Sequence, residues 1–318
     1  MKVTDYFDQS NGDTLVSFEV LPPLKGGSMQ SIFDTLDPLM EFKPPFIDVT
    51  YHREEYVYNR QDSGFYEKAS IRKRPGTVGI CAAIMHKYGV DAVPHLICGG
   101  FTKAETENAL IDLNFLDVTN VLALRGDARK FEGKFIPEKE GHNYAIDLVE
   151  QIDQMNQGRY LDKSIDNGVS TDFCIGVAGY PEKHFEAPNF DYDLRYTKMK
   201  IDAGAHYIVT QMFFDNQKYF SYVKSCREAG ITVPIVPGIK PLTKRYQLNS
   251  IPRLFFLNMP EELVYNIENA DTPTKVREAG IQWAIHQCKE LKEFGVPCLH
   301  FYTMGDWKTT KRIIEAVM

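Results

Sequence analysis

FCIGVAGYPEKHFEAPNFDYDLRYTKMKIDAGAHYIVTQMFFDNQKYFSYVKSCREAG, residues 173–230, decides the fold. It holds two strand–helix units in succession. Residues 173–178 and 207–211 are short and almost wholly apolar, as strands covered on both faces are. Residues 193–203 and 217–229 are amphipathic and long enough for helices, and Gly230 is a natural stop for the second. A doubly covered strand followed at once by a helix is the repeat of a parallel α/β sheet.

The pattern extends in both directions. Strands are expected at 15–20 (LVSFEV), 46–50 (FIDVT), 92–97 (AVPHLI), 120–124 (NVLAL), 233–237 (VPIVP) and 299–302 (LHFY). Residues 102–116 read as a helix opened by Thr102 with Glu105 three positions on, the spacing of a capping box. Residues 144–155 and 270–294 read as helices too, the latter stopped by Gly295. Eight β/α units predict one (β/α)8 TIM barrel of the α/β class. An open doubly wound sheet is the competitor, disfavoured because no GxGxxG follows any strand. Residues 157–172 are polar and read as a loop insertion, and two apolar turns within 254–271 as extra short helices. With no repeat and no linker, 1–318 is expected to be a single domain.

Composition narrows the function classes. The chain has 318 residues, 43% hydrophobic and 25% charged, which argues against disorder. Lys and Arg number 36 against 43 Asp and Glu, a net charge of −7, so a broad nucleic-acid footprint is not expected. Cys81, Cys98, Cys174, Cys226, Cys288 and Cys298 form no CxxC pair and read as reduced thiols of a cytoplasmic protein. The N-terminus lacks an apolar leader core, and no apolar run approaches the roughly 18 residues of a membrane span.

Barrel active sites lie where the strands end. Glu19 sits in an apolar strand. It is either an ion-pair partner inside the barrel or a carboxyl raised by burial and fit for general acid work. His95 and Cys98 have an HxxC spacing, weak as a metal signal without a second pair. Leu124-Arg125-Gly126-Asp127 brings Asp127 to the mouth, unless this is a solvated turn. Tyr180 and His184 follow strand five. Gln211 ends strand six, as an internal cap or as a partner for a heterocycle, since its amide both donates and accepts. Acids, amides and aromatics without a metal cluster suit a planar organic cofactor.

These motifs resemble methylenetetrahydrofolate reductase, in its bacterial catalytic-domain form. FEVLPP (18–23), DVTY (48–51), PHLIC (94–98), LALRGD (122–127), NYAIDLV (143–149), VAGYPEKHFEA (177–187), KIDAGAHYIVTQMFFD (200–215), PIVPGIKP (234–241) and LHFYT (299–303) occur in family order across nearly the whole chain. The resemblance implies a catalytic barrel without a regulatory domain. It also implies FAD, NADH or NADPH as electron donor, and 5,10-methylenetetrahydrofolate reduced to 5-methyltetrahydrofolate by ping-pong hydride transfer. By resemblance, Thr50, Tyr51, His95, Arg125, Gly126, Asp127, Tyr144, Ala145, Tyr180, His184, Ala187, Asp193 and Lys200 match cofactor-binding positions. Glu19 and Asp127 match catalytic positions, and Asp127, Gln211 and Gln247 match folate contacts; no metal is implied. Lys200 offers a charge for a pyrophosphate, Gly126 a close approach to the ring, and Asp193 an acceptor for ribose or adenine groups. The chain departs from the family after LHFYT, where Met304-Gly305-Asp306 replaces Leu-Asn-Arg and leaves Lys308 or Arg312 to substitute for the arginine. Ile251 lies near where a ring often stacks on the nicotinamide. No nucleic-acid or membrane partner is expected, and a homo-oligomer is left open. Two rivals are a flavin- or folate-binding sensor, which needs no acid, and a Schiff-base aldolase, which needs a lysine at a strand end. No expected strand contains one, and Lys240 lies beyond Pro-Gly in a loop.

Overall fold

In a computed structural model of the chain, the short apolar runs become the parallel strands of a barrel. Residues 1–128 and 132–318 are described, with the backbone alone at Lys68 and Ser70. The strands are β1 (Leu15–Val20), β2 (Phe46–Val49), β3 (Glu55–Arg60), β4 (Tyr66–Ile71), β5 (Asp91–Ile97), β6 (Asn120–Leu124), β7 (Cys174–Gly179), β8 (Tyr207–Thr210), β9 (Ile235–Val236), β10 (Gly238–Ile239) and β11 (Cys298–Tyr302). The helices are α1 (Val3–Gln9), α2 (Gln30–Leu36), α3 (Thr77–Tyr88), α4 (Lys103–Phe115), α5 (Ala145–Asn156), α6 (Phe190–Asp202), α7 (Asn216–Glu228), α8 (Gln247–Phe255), α9 (Glu261–Glu268), α10 (Pro273–Phe294) and α11 (Trp307–Val317).

The sheet order is β10-β11-β1-β2-β5-β6-β7-β8-β9, and every ladder in it is parallel. β9 and β10 are two halves of the seventh barrel strand. Pro237 between them has no N–H to give, so the strand breaks there. β9 pairs with β8 and β10 with β11, which closes the ring. The break is tied across: His300 N–H donates to the Pro237 carbonyl (3.1 Å), Gly238 N–H to Thr210 Oγ1 (3.1 Å) and the Tyr302 hydroxyl to the Thr210 carbonyl (2.7 Å).

Three apolar clusters form among the described residues. The largest lies between strands and helices. Another gathers α8, α9 and the start of α10 around Leu248, Leu263, Ile267 and Val276. A third fills the barrel with Phe46, Val93, Leu122, Tyr207, Val209 and Val236. α1 closes its lower end: the Phe7 ring meets Phe46 and Tyr207 edge-on at 6.2 and 6.4 Å. Above this layer the inner face turns polar, with Ser17 and Glu19 on β1, Asp48 on β2, His95 on β5 and His300 on β11.

Several elements lie beyond the sequence reading. Residues 55–71 form an antiparallel hairpin, β3–β4, outside the barrel. α1, α2, α3 and α11 were not expected as separate helices. In α3, Thr77, Ile80, Cys81 and Ile84 are buried at helical spacing, and Gly89 ends it with φ +66°. The long helix starts at Pro273 rather than 270, capped by Thr272 accepting from Lys275 N–H (3.2 Å). The Thr102–Glu105 capping box forms as read. Of the two short helices expected within 254–271 only α9 lies wholly there, since α8 starts before the window and ends at Phe255. Residues 157–172 carry only turns and loop.

Gly176 shows how tightly the barrel is filled. A Cβ there would lie 2.7 Å from Tyr207 Oη and 2.8 Å from Leu122 Cδ1. Gly176→Ala is expected to destabilise the chain by about 1–3 kcal/mol through overpacking. Urea unfolding measures it, and an unchanged midpoint would mean that the Tyr207 ring does not fill this space.

Candidate active site

Register gathers the polar residues. Glu19 stands level with Asp48 across β1 and β2, and Ser17 level with His300 across β1 and β11. His95 Nε2 is 3.4 Å from Asp48 Oδ2 and 3.6 Å from Glu19 Oε2. His300 Nε2 is 4.0 Å from Glu19 Oε2, and its Nδ1 is 4.0 Å from Asp48 Oδ1 and 2.8 Å from Ser17 Oγ. Asp48 and His300 are fully buried, and Glu19 retains 13% side-chain exposure. So Glu19 is the carboxylate of this cluster that reaches the mouth.

The electrostatics correct one expectation. Burial does act to raise the Glu19 carboxyl, but His300, His95 and the Thr50 hydroxyl outweigh it, and the net direction is down. For His95 the balance runs the other way. Burial disfavours its charge, but Asp48 and Glu19 overcome this and raise its pKa.

The second group of residues follows β7. Asp193 is buried at the start of α6, where Oδ2 accepts from His184 N–H (2.9 Å), and burial raises its pKa against the pull of Lys200 and Lys183. Lys200 donates to the Ala178 carbonyl (2.5 Å), and burial lowers it to about 8 while Asp193 opposes. Burial, with Arg125 nearby, lowers His184 to about 4, so it is neutral at pH 7. The Tyr180 ring meets His184 edge-on at 4.8 Å, and burial raises its phenol. Lys183, at φ +84°, donates to the Ala187 carbonyl (3.0 Å).

The exit of β6 joins the two groups. Gly126 has φ +82°, and a Cβ there would lie 3.2 Å from Ile97 Cβ. Arg125 pairs with Glu186 (2.5 Å) and lies over the Phe135 ring. Asp127 is exposed, and its charge acts on both Tyr180 and His52, a residue that also senses Glu19. Thr50 Oγ1 donates to the Val20 carbonyl (3.2 Å), and the Tyr51 ring lies 5.0 Å from Phe101. Ala145 opens α5; Tyr144 before it lies 6.2 Å from the Tyr196 ring, itself 5.2 Å from Tyr192.

Other candidates have local duties. Gln211 Oε1 accepts from Met212 N–H (2.9 Å), so its internal-cap reading holds for that oxygen. Gln247 Oε1 accepts from the N–H groups of Thr243 and Lys244 (both 2.8 Å) in the turn into α8. Arg312 is committed to Glu278 (3.0 Å), and Ile251 is buried in an apolar cluster around α8. Cys98 donates to the Leu124 carbonyl (3.4 Å), and burial pushes its thiol up to about 12. Among the described residues no group of three or more His, Cys, Asp and Glu is arranged to hold a metal ion. Lys240 lies in loop backbone beyond Pro-Gly as read, half-buried and directly after β10. Asp48, His300 and Ser17 were missed. Their signal was a polar residue at alternate positions of FIDVT, LHFY and LVSFEV.

A family model for methylenetetrahydrofolate reductase matches residues 2–318. The chain is 32% identical over 295 residues to the 5,10-methylenetetrahydrofolate reductase of Salmonella typhimurium, covering 92% of this chain and 87% of that protein. It is 31% identical over 317 residues to methylenetetrahydrofolate reductase (NADH) 1 of Arabidopsis thaliana, covering 96% and 49%. It spans about half the length of the plant and yeast relatives it matches. In fold it is similar, with a TM-score of 0.54, 14% identity and 98% of both chains covered, to a Clostridium thermocellum protein that binds two copies of 5-methyl-5,6,7,8-tetrahydrofolic acid. The chain belongs to the methylenetetrahydrofolate reductase family.

Proposed function

We propose that this barrel reduces 5,10-methylenetetrahydrofolate to 5-methyltetrahydrofolate with FAD as cofactor and NADH or NADPH as donor. The observation that carries the reading is Glu19 at the barrel mouth, between His95 and His300, in a chain matched by the family over residues 2–318. The folate named for the Clostridium protein supports the substrate class. The six cysteines are free and buried, which supports a cytoplasmic setting, and among the described residues no helix is long and apolar enough to cross a membrane.

The mouth fits a flavin dinucleotide. At Gly126 a left-handed glycine packs on Ile97 more closely than a Cβ allows, and it leaves the β6 exit without a side chain between Arg125 and Asp127. Lys200 and Asp193 set one cation and one anion beside a neutral His184, a donor set for pyrophosphate and ribose. Thr50, Tyr51, His95, Arg125, Gly126 and Asp127 would hold the ring end, and Tyr180, His184, Ala187, Asp193 and Lys200 the middle. Tyr144 and Ala145, beside Tyr196, would hold the adenine end. Bound FAD supplies a two-electron carrier that accepts hydride from the nicotinamide and returns it to the folate carbon.

The chain's own residues supply protons and orientation. Glu19 gives a proton to the folate nitrogen, which opens the five-membered ring to an iminium. Such assistance is typically worth about 10²–10⁴-fold. Asp127, exposed after β6, would accept from the pterin, and Gln211 would orient it. The apolar layer of Val93, Leu122 and Tyr207 beneath keeps water from the cluster from below.

Two experiments test this. The purified protein should be yellow and bleach anaerobically with NADH or NADPH. In Glu19→Gln that bleaching should persist within about tenfold, while reoxidation by methylenetetrahydrofolate falls by at least ~10²-fold in stopped-flow absorbance. Near-normal reoxidation would remove Glu19 as the acid. Lys200→Met, which keeps the apolar stem, should weaken FAD retention by roughly tenfold or more, the worth of one charge-assisted bond. Unchanged FAD affinity with an intact fold would strike Lys200 from the cofactor site.

A further inference from the structure

An acid must hold a proton, yet Glu19 at rest favours its anion. The proton has another place to stand. His95 lies between two carboxylates, 3.6 Å from Glu19 Oε2 and 3.4 Å from Asp48 Oδ2. Its side chain is 5% exposed and that of Asp48 1%. Neither oxygen of Asp48 has a hydrogen-bond partner among the described residues. A bare buried carboxylate is costly unless a cation faces it. An imidazolium at His95 would meet that need for Asp48 and, at once, face Glu19.

We propose that the proton delivered by Glu19 is stored on His95, and that Asp48 is the positioning residue that keeps it there. This rests on the reading of Glu19 as the acid. The His95 Nε2–H bond breaks as the Glu19 Oε2–H bond forms, leaving both groups neutral. The Glu19 O–H bond then breaks as an N–H bond forms on the folate. Glu19 is again a carboxylate, and His95 regains its proton from solvent through the mouth before the next turnover.

The groups facing the cluster support this balance. His300 on β11, His52 beyond β2 and Lys240 beyond β10 are basic, and a positive charge on any of them disfavours a second one on His95. Tyr207 on β8, Tyr302 and Cys298 on β11 and Cys81 on α3 all lie in the field of Asp48, and burial raises their pKa so that they stay neutral. The Ser17 and Thr50 hydroxyls carry no charge. Asp48 and Glu19 are therefore the groups that favour the proton on His95, and they prevail.

The test follows the His95 ring by NMR in the full-length protein, its signal assigned by its loss in His95→Gln. In the wild type His95 should titrate above 6.5, the ordinary value for histidine. Asp48→Asn should lower that midpoint by about 1–3 units, the usual effect of an opposite charge within 4–6 Å. In stopped flow on the FAD-loaded protein, folate reoxidation in Asp48→Asn should lose its rate at correspondingly lower pH. Bleaching by NAD(P)H should keep its pH profile. A structural role alone would lower stability without moving the titration. A wild-type midpoint at or below 6.5 overturns the proposal, and this measurement stands even if the variant does not fold. So does an unmoved midpoint in Asp48→Asn. Failure of the acid reading itself would show separately, as near-normal reoxidation in Glu19→Gln.

Discussion

Asp48 is a carboxylate with no exposed surface and no hydrogen bond to either oxygen among the described residues, and the barrel interior is arranged around it. Removing such a charge from water costs several kcal/mol unless an opposite charge stands close. Two imidazoles face it, His95 at 3.4 Å, whose charged form Asp48 and Glu19 favour, and His300 at 4.0 Å. Each also approaches Glu19 within 4.0 Å, so what makes Asp48 tolerable also fixes the electrostatics of the residue at the mouth. Ser17 completes the arrangement by holding His300 Nδ1 at 2.8 Å. Beneath lies an apolar plug closed by α1, and above lies the open rim. The polar cluster thus meets solvent and ligand from one side.

Much of the barrel was legible because parallel strands buried on both faces leave short apolar runs, and because caps are local. Thr102 with Glu105 and Gly230 after α7 mark their helices by chemistry within a few residues. What periodicity could not mark has its own causes. α1 is only seven residues long, and its two buried side chains make sense only against Phe46 and Tyr207 on distant strands. α3 is nearly all apolar, so its face is set by what it covers. The β3–β4 hairpin shows no clean alternation, with Tyr56, Val57 and Tyr58 in a row; Gly64 at φ +83° gives its turn, and the stretch lies outside the apolar clusters. Strand seven reads as one run, and only the ring closure shows it split at Pro237.

The site was legible at the rim and not in the interior. Each strand exit could be read as a loop carrying chemistry, and the structure brings Glu19, His95, Asp127, Tyr180, His184 and Gln211 to one end of the sheet. Which interior polar residues meet depends on register. That Glu19 stands level with Asp48, and Ser17 with His300, is a property of strand pairing across 29 and 283 positions of chain (48 − 19 and 300 − 17). The direction of the Glu19 shift failed for the same reason. A carboxyl in an apolar strand looks raised by burial, until the imidazoles on two other strands are placed beside it.

The rim also shows how one departure from the family pattern is absorbed. Where the resemblance leads one to expect an arginine after β11, Asp306 accepts from Arg277 (2.7 Å) and caps α11 through Thr309 (3.3 Å to N–H). The strand-eight exit is therefore stabilised as a helix start, and its charge is negative. Lys240, one strand over and half-buried, brings a positive charge to this side of the mouth. Burial lowers its pKa, while Asp306 and Glu19 act to keep it protonated and Lys244 opposes them. A negative group at Asp306 thus helps to hold a cation near Glu19, which a cation in its place could not do. The charge at Asp306 and the charge at Lys240 are parts of one electrostatic arrangement at this side of the mouth.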